Sequence, residues 1–295
     1  MEFRELQYFL VVASEGNISA AAQKLHVAQP SLSRQMKELE TRLGKKLFHR
    51  GSRKITLTEE GLILQKRAAE MFQLMERTEK EIADAGNSIR GDIYLGAAET
   101  NALKVITDAF HRITKDHTDI RLHVISGDTR DTMEQLEKGI LDFALLFSHG
   151  DPDRYHQITL PAMDHFGILM RSDSPLAEKQ TVSVRNDLLG RPMIVSRLSN
   201  REILIGTDPS ELTTVGTYNL AFNASIMVRS GLGYALCLNS FVNFENGKNK
   251  DLVFVPVAEE ESIYPAPNLL WKRHQLMSQP SRLLIQELQK DFSII

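Results

Sequence analysis

Residues 19–40 read SAAAQKLHVAQPSLSRQMKELE. Three alanines and a short break precede Gln29-Pro30-Ser31-Leu32-Ser33-Arg34, which leads into an amphipathic run. A packed core has no need of a proline followed by small hydroxyls and an arginine. Advancing about 100° per residue puts Leu32, Met36, Leu39 and Leu43 on one side of a helix, with Pro30, Ser33, Arg34 and Lys37 roughly opposite. Pro30 suits the first turn, where a missing N–H costs nothing. Ser31 and Ser33 are small enough to let backbone approach a phosphate or a base edge. Arg34 and Lys37 can neutralise phosphates, and Gln29 can read an adenine. An ordinary solvated face accounts for Arg34 or Lys37 alone, but poorly for the whole constellation. The pattern predicts a helix whose first turn enters a major groove.

The flanks extend this reading. Phe3, Leu6, Phe9, Leu10 and Ala13 form one apolar stripe, and Gly16-Asn17 breaks it. Ser19 is the expected N-cap of a second helix. Ala20, Ala21 and Ala22 let two short helices cross closely, as a helix-turn-helix requires. Gly44 stops the third helix. In KKLFHRGSRKITLT (residues 45–58), Leu47 and Phe48 can anchor the segment, while Ile55 and Leu57 alternate as in a strand. Arg50, Arg53 and Lys54 then sit on a hairpin-like tip, a wing that would lie along a backbone or minor groove and supply affinity without sequence information.

Charge is divided in the same place. Residues 1–57 hold ten Lys/Arg against five Asp/Glu, a net of +5; the remainder holds 25 against 33, a net of −8. A basic head on an acidic body points to a polyanionic partner, double-stranded DNA. At 295 residues, two or three domains are expected. No apolar run reaches the roughly 18 residues of a membrane span, and Glu2 and Glu5 stand where a secretory signal would want lysines. The single cysteine, Cys237, lies in the apolar run YALCL and reads as a buried structural thiol. A cytoplasmic chain with no membrane partner is expected.

From residue 58 to 85, Leu64, Ala68, Met71, Met75, Thr78, Ile82 and Ala85 recur at alternating four- and three-residue steps. That is a coiled-coil seam on a helix roughly 40 Å long. Thr56 or Thr58 can cap it, with Glu59 and Glu60 in the first turn. A second copy is the natural partner, so Leu64, Met71, Met75 and Ile82 are expected to dimerise the chain and present two recognition helices to an inverted repeat. After GNSIRGD (residues 86–92), strands alternate with helices. IYLGAA leads to NALKVITDAFHRITKDH, IRLHVIS leads to TRDTMEQLEKGI, and LDFALLF follows. A mostly parallel sheet with helices on both faces is expected. Ligands bind beyond the carboxyl ends of such strands. Three places qualify: Thr100 and Asn101, Ser126 and Thr129, and Ser196 with Arg197.

Residues 1–62, with LQYFLVVASEGNISAAAQKLHVAQPSLSRQMKELETRLGKKLFHR and the LTEEG that opens the next helix, resemble the winged helix-turn-helix of LysR-type transcriptional regulators. The order of segments fits that family over the whole chain. Where the family usually has Ser or Thr two residues before the proline, Ala28 stands here, leaving Gln29 or water to serve the helix start. The resemblance implies an α/β regulatory domain like a periplasmic binding protein. Its expected parts are a head (1–57), a linker helix (58–86), a hinge (87–92), lobe I (93–161 and 269–295) and lobe II (162–268). It further implies a small-molecule effector between the lobes, touched by Thr100, Thr129 and Ser196, with Phe147 as a pocket wall. A homodimer or homotetramer is implied, with RNA polymerase a candidate partner.

No G-x-S-x-G, H-E-x-x-H, C-x-x-C or phosphate-cradling loop occurs, so no enzyme activity, cofactor or metal is expected. The rival reading is a two-lobed cytoplasmic small-molecule-binding protein or enzyme without sequence-specific DNA binding. The basic head speaks against it.

Overall fold

The computed structural model describes residues 1–51, 54–83, 89–161, 164–197, 208–240, 251–261 and 266–291. The chain divides into two units, Met1–Ala85 and Gly86–Ile295.

In the first unit, α1 (Phe3–Glu15), α2 (Ile18–Lys24) and α3 (Gln29–Leu43) are followed by a two-stranded antiparallel wing, β1 (Phe48–Arg50) and β2 (Ile55–Leu57), and then α4 (Glu59–Ala83). The core is what the stripes require. Phe9, Val12, Ala21, Leu32, Met36 and Leu39 are fully buried, joined by Leu47 and Phe48 from the wing side. Leu43 lies at the surface, because the helix is ending there. Asn17, not Ser19, caps α2: its side chain accepts from the N–H groups of Ser19 and Ala20 at 2.8 and 3.1 Å. The longer Asx side chain reaches back over the helix end from one residue earlier. Gly44 closes α3 at φ 65°, a left-handed cap that suits glycine.

Glu40 is a buried acid on the inner face of α3, and its Oε1 accepts from the N–H groups of Leu47 and Phe48 at 2.9 and 3.3 Å. These are the amides of the chain as it leaves the helix for the wing. Thr58 does the same work at the other end: it caps α4 through the N–H of Gly61 and donates to the carbonyl of Lys46. Gly61 has to be glycine, since a Cβ would sit 2.2 Å from the Leu47 carbonyl.

The second unit holds two five-stranded sheets. Lobe I contains β3 (Gly91–Ala97), α5 (Leu103–Thr114), β4 (Ile120–Ser126), α6 (Thr129–Glu137), β5 (Phe143–Leu146) and β6 (Tyr155–Thr159). The returning β12 (Asn268–Lys272) and α8 (Gln279–Asp291) complete it. Its strand order is β4-β3-β5-β12-β6. Lobe II contains β7 (Phe166–Arg171), β8 (Pro192–Ser196), β9 (Thr213–Tyr218), α7 (Ala221–Arg229), β10 (Tyr234–Leu238) and β11 (Leu252–Pro256), in the order β11-β7-β10-β8-β9. One sequence expectation needs correction. The sheets are mixed: β12 runs antiparallel to β5 and β6, and β7 runs antiparallel to β10 and β11. The chain passes between lobes twice, and each crossing strand enters its sheet against the parallel set. After β7 the chain makes turns rather than a helix, and only a five-residue π-type turn, Val184–Leu188, precedes β8.

Each lobe has its own core. Ile106, Ala109 and Ile113 of α5 pack with Leu284 and Leu288 of α8 over Ile93, Leu95, Phe143 and Leu145. Trp271 is buried there, edge-on to Phe143 with ring centres 6.2 Å apart, so it packs rather than stacks on a ligand. Arg112 ties the two helices by reaching Glu287 at 2.6 Å and Asp291 at 2.5 Å.

Replacing Glu40 by alanine leaves two buried amides without an acceptor. Destabilisation of the head by roughly 2–4 kcal/mol is expected in urea unfolding followed by circular dichroism, with a smaller loss for Glu40→Gln, which keeps an acceptor oxygen.

Candidate nucleic-acid interface and effector cleft

The outer face of α3 is built as its composition demands. Gln29, Pro30, Ser31, Arg34 and Lys37 are exposed and Ser33 is half-buried, while the opposite face supplies the core. Ala28 is the N-cap and makes no side-chain cap bond. With proline next in line, the N–H groups of Gln29 and Ser31 have no partner within the helix, and they form the positive end of its dipole. Arg34 Nε lies 3.3 Å from Glu38 Oε1, one turn on, with both side chains exposed. Such a pair is worth little in water, so Arg34 can exchange Glu38 for a stronger anion. On the wing, Lys54 is exposed and Arg50 ends β1 opposite Ile55. Arg53 lies outside the described residues.

Along α4 the expected seam divides. Leu64 leans on the head's own core and Ala68 is fully buried, while Phe72 meets Phe3 edge-on at 5.7 Å. Leu64 is therefore a contact of its own head, a correction to its place on the seam. Leu62 is exposed near the start of the helix, and Ile63, Met71, Leu74 and Ile82 form an exposed apolar stripe, the last two 45% and 71% exposed; Met75 is half-buried. A straight helix drifts about 20° per heptad from a strict seven-residue repeat. A seam drawn through Leu64 thus starts on the buried face and ends on the open one. Ala85 and position 86 lie outside the described residues, as do positions 87–88 at the start of the expected hinge.

In the second unit, the six expected effector positions stand at the carboxyl ends of strands. Thr100 and Asn101 follow β3, Ser126 ends β4, Thr129 opens α6, Phe147 follows β5 and Ser196 ends β8. Because β3, β4 and β5 run parallel, the first five share one end of the lobe I sheet. Ser126 is exposed, whereas Thr129, Phe147 and Ser196 are half-buried.

Two of the six bond to one buried carboxylate. The buried Thr100 hydroxyl donates to Asp164 and accepts from the Ala102 N–H at 3.1 Å. Asn101 donates to the same carboxylate through its backbone N–H at 3.1 Å and its Nδ2 at 2.9 Å. Asp164, 2% exposed between β6 and β7, is thus held by two of the residues expected to meet an effector. Asp128 rather than Thr129 caps α6, accepting from the Asp131 N–H at 2.9 Å, and Arg197 reaches across to it from the end of β8. Burial pushes the Asp128 carboxyl up, but the Asp131 N–H and the Arg197 guanidinium outweigh it and hold it below the usual carboxylate range. Sequence reading passed over Asp164, Asp128 and Glu99. An aspartate just before a helix start was a visible cap signal for Asp128; nothing local marked Asp164.

Comparison with known proteins places this geometry. Residues 3–62 match the bacterial regulatory helix-turn-helix of the lysR family, and residues 86–293 match the LysR substrate binding domain. The chain belongs to the LysR family. The uncharacterised HTH-type transcriptional regulator YnfL of Escherichia coli is 24% identical over 96% of both chains. BsdA of Bacillus subtilis is 34% identical, but over only 49% of this chain and 50% of its own length. Among solved structures, the LysR-family regulator CbnR superposes with TM-score 0.73 at 16% identity, covering 98% of this chain and 99% of that one.

Within this LysR-family domain, replacing Thr100 by valine removes one donor from a buried carboxylate while Asn101 keeps its two. A loss of about 1–3 kcal/mol is expected in the thermal unfolding of the second unit.

Proposed function

We propose that this LysR-family chain is a homodimeric transcriptional regulator that reads an inverted-repeat operator through α3 and responds to a small molecule in the cleft between its lobes. The observation that carries the reading is the two-faced α3. Its inner face is fully buried, and its outer face exposes Gln29, Pro30, Ser31, Arg34 and Lys37 around an uncapped first turn. Backbone donors and small hydroxyls there can sit against phosphates, while Gln29 reaches a base edge. Support comes from CbnR solved with its target DNA, a structure of the same fold over 98% of this chain with TM-score 0.71.

The exposed stripe of Ile63, Met71, Leu74 and Ile82 is the surface we assign to a second α4. It replaces the seam drawn through Leu64, and Met75 flanks it. Two joined heads double the number of phosphate contacts and require a symmetric site. An effector that prefers one arrangement of the lobes shifts the population of that arrangement, and so alters the DNA bend and any contact with RNA polymerase. Ser126, Thr129, Phe147 and Ser196 remain the side chains best placed to meet it.

Thiol oxidation is not the signal in this reading. Two relatives at 26% identity are named hydrogen peroxide-inducible genes activators. Here the one cysteine, Cys237, is buried in the core of lobe II, and burial pushes its thiol up to about 12. The reactive thiolate is scarce at neutral pH.

No helix among the described residues is long and apolar enough to cross a membrane. Arg34→Ala should weaken binding to operator and random DNA alike and lower the slope of log K against log salt by about one; an unchanged slope removes its phosphate role. Leu74→Asp with Ile82→Asp should convert the dimer to monomer in sedimentation; a persisting dimer refutes the α4 interface.

A further inference from the structure

Lobe II presents two features that seek an anion. One is the start of α7, where Leu220 stands at the N-cap and supplies no side-chain bond. The other is Arg197, at the end of β8. Both are satisfied by carboxylates of lobe I. Glu99, in the loop after β3, accepts from the Ala221 N–H at 2.6 Å, and its backbone carbonyl accepts from the Ser240 hydroxyl at 3.1 Å. Asp128 takes the Arg197 guanidinium directly, with Asp131 at 3.5 Å. Glu99, Asp128 and Arg197 all follow the carboxyl ends of strands, where ligands of open α/β sheets bind.

We propose that Glu99 and Asp128 are intramolecular ligands of lobe II, a pair of straps that holds the cleft closed when no effector is present. This rests on the reading of the second unit as an effector-binding domain. An incoming molecule then competes with the protein's own carboxylates rather than entering an open crevice. The straps suit a switch because each has one member open to solvent. Arg197 and Glu99 are exposed, whereas the Asp128 carboxylate is only 6% exposed, so water and salt compete for each contact from one side. Asp128 is held in place by its own duty as cap of α6, so Arg197 is the movable partner. Glu99 reaches α7 through a loop that Thr100 and Asn101 pin to Asp164, which fixes where the carboxylate can go. The hinge side and the strap side of the cleft are thereby coupled through four consecutive residues, 99–102.

The test reads the lobes directly, without effector or DNA. Spin labels are placed on full-length chain at Lys115→Cys in lobe I and Glu178→Cys in lobe II, both exposed positions; Cys237 is buried and stays unlabelled. Labelled chain is diluted in unlabelled chain so that distances within one protomer dominate. In the otherwise unaltered protein a single short distance is expected at 0.05 M NaCl, giving way to a longer population as salt is raised to 1 M. Glu99→Ala with Arg197→Ala should show the longer population at low salt already, in at least half of the molecules, with no further response to salt. Arg197→Lys, which keeps the charge, should behave as the unaltered chain. Superimposable distributions for the unaltered chain at both salts overturn the proposal without reliance on any variant's folding. So does a double variant that stays closed. Either result leaves the effector-binding reading standing; that reading is lost separately, if no metabolite in a thermal-shift screen stabilises the chain.

Discussion

Glu40 is an acid inside an apolar core, and it is there because two backbone N–H groups have no other acceptor. The chain leaving α3 must turn at once into the wing, and the amides of Leu47 and Phe48 are buried before any strand ladder can take them. A carboxylate on the inner face of α3 receives both. The helix that carries the recognition residues and the strand that carries the wing are thus fixed to each other by one side chain. Gly61 and Thr58 bring α4 against the same few residues. Recognition of a duplex needs several weak contacts made at once, so it needs this rigidity more than any single strong contact.

The second unit solves a different problem. Two sheets are joined by two chain crossings, and the buried Asp164 at the first crossing is satisfied entirely by the loop after β3. At the second lobe's side of the same junction, Asn239 extends the ladder by one residue: its N–H donates to the His165 carbonyl and its side chain accepts from the His165 N–H. A proline at this position could not donate that bond. Among the described residues, Asp164, His165 and Asn239 of this junction are polar and hydrogen-bonded, whereas the lobe cores are apolar. Such a division lets each lobe stay rigid while their relation changes at modest cost.

The head was legible in the sequence because its stripes are local: one turn of helix already shows which face is apolar, and glycine marks the stops. Ser19 was misassigned as cap since either of two polar residues two positions apart fits the pattern, and only geometry chooses Asn17. On α4 a heptad pattern could be drawn, but it ran from Leu64, which serves the head, to Ile82, which is open. Periodicity alone does not say where one helix stops belonging to its own domain. In the second unit the strands were visible and their directions were not, because β12 pairs with strands more than a hundred residues earlier in the chain. Thr100 stands at the carboxyl end of β3, where the sequence pattern places it, and its bond to Asp164 has no local signal. Its hydroxyl points to the cleft end of β3, yet an aspartate 64 residues away claims it.

The account stands on α3 being an inserted probe, doubled by a second copy. The most direct measurement is selection of duplexes from a random library by the full-length protein at moderate salt, followed by titration of the enriched sequences against bulk competitor. Enrichment of a two-fold symmetric sequence, bound far more tightly than competitor, is the predicted result. Recovery of no preferred duplex, with binding set by salt alone, would contradict it.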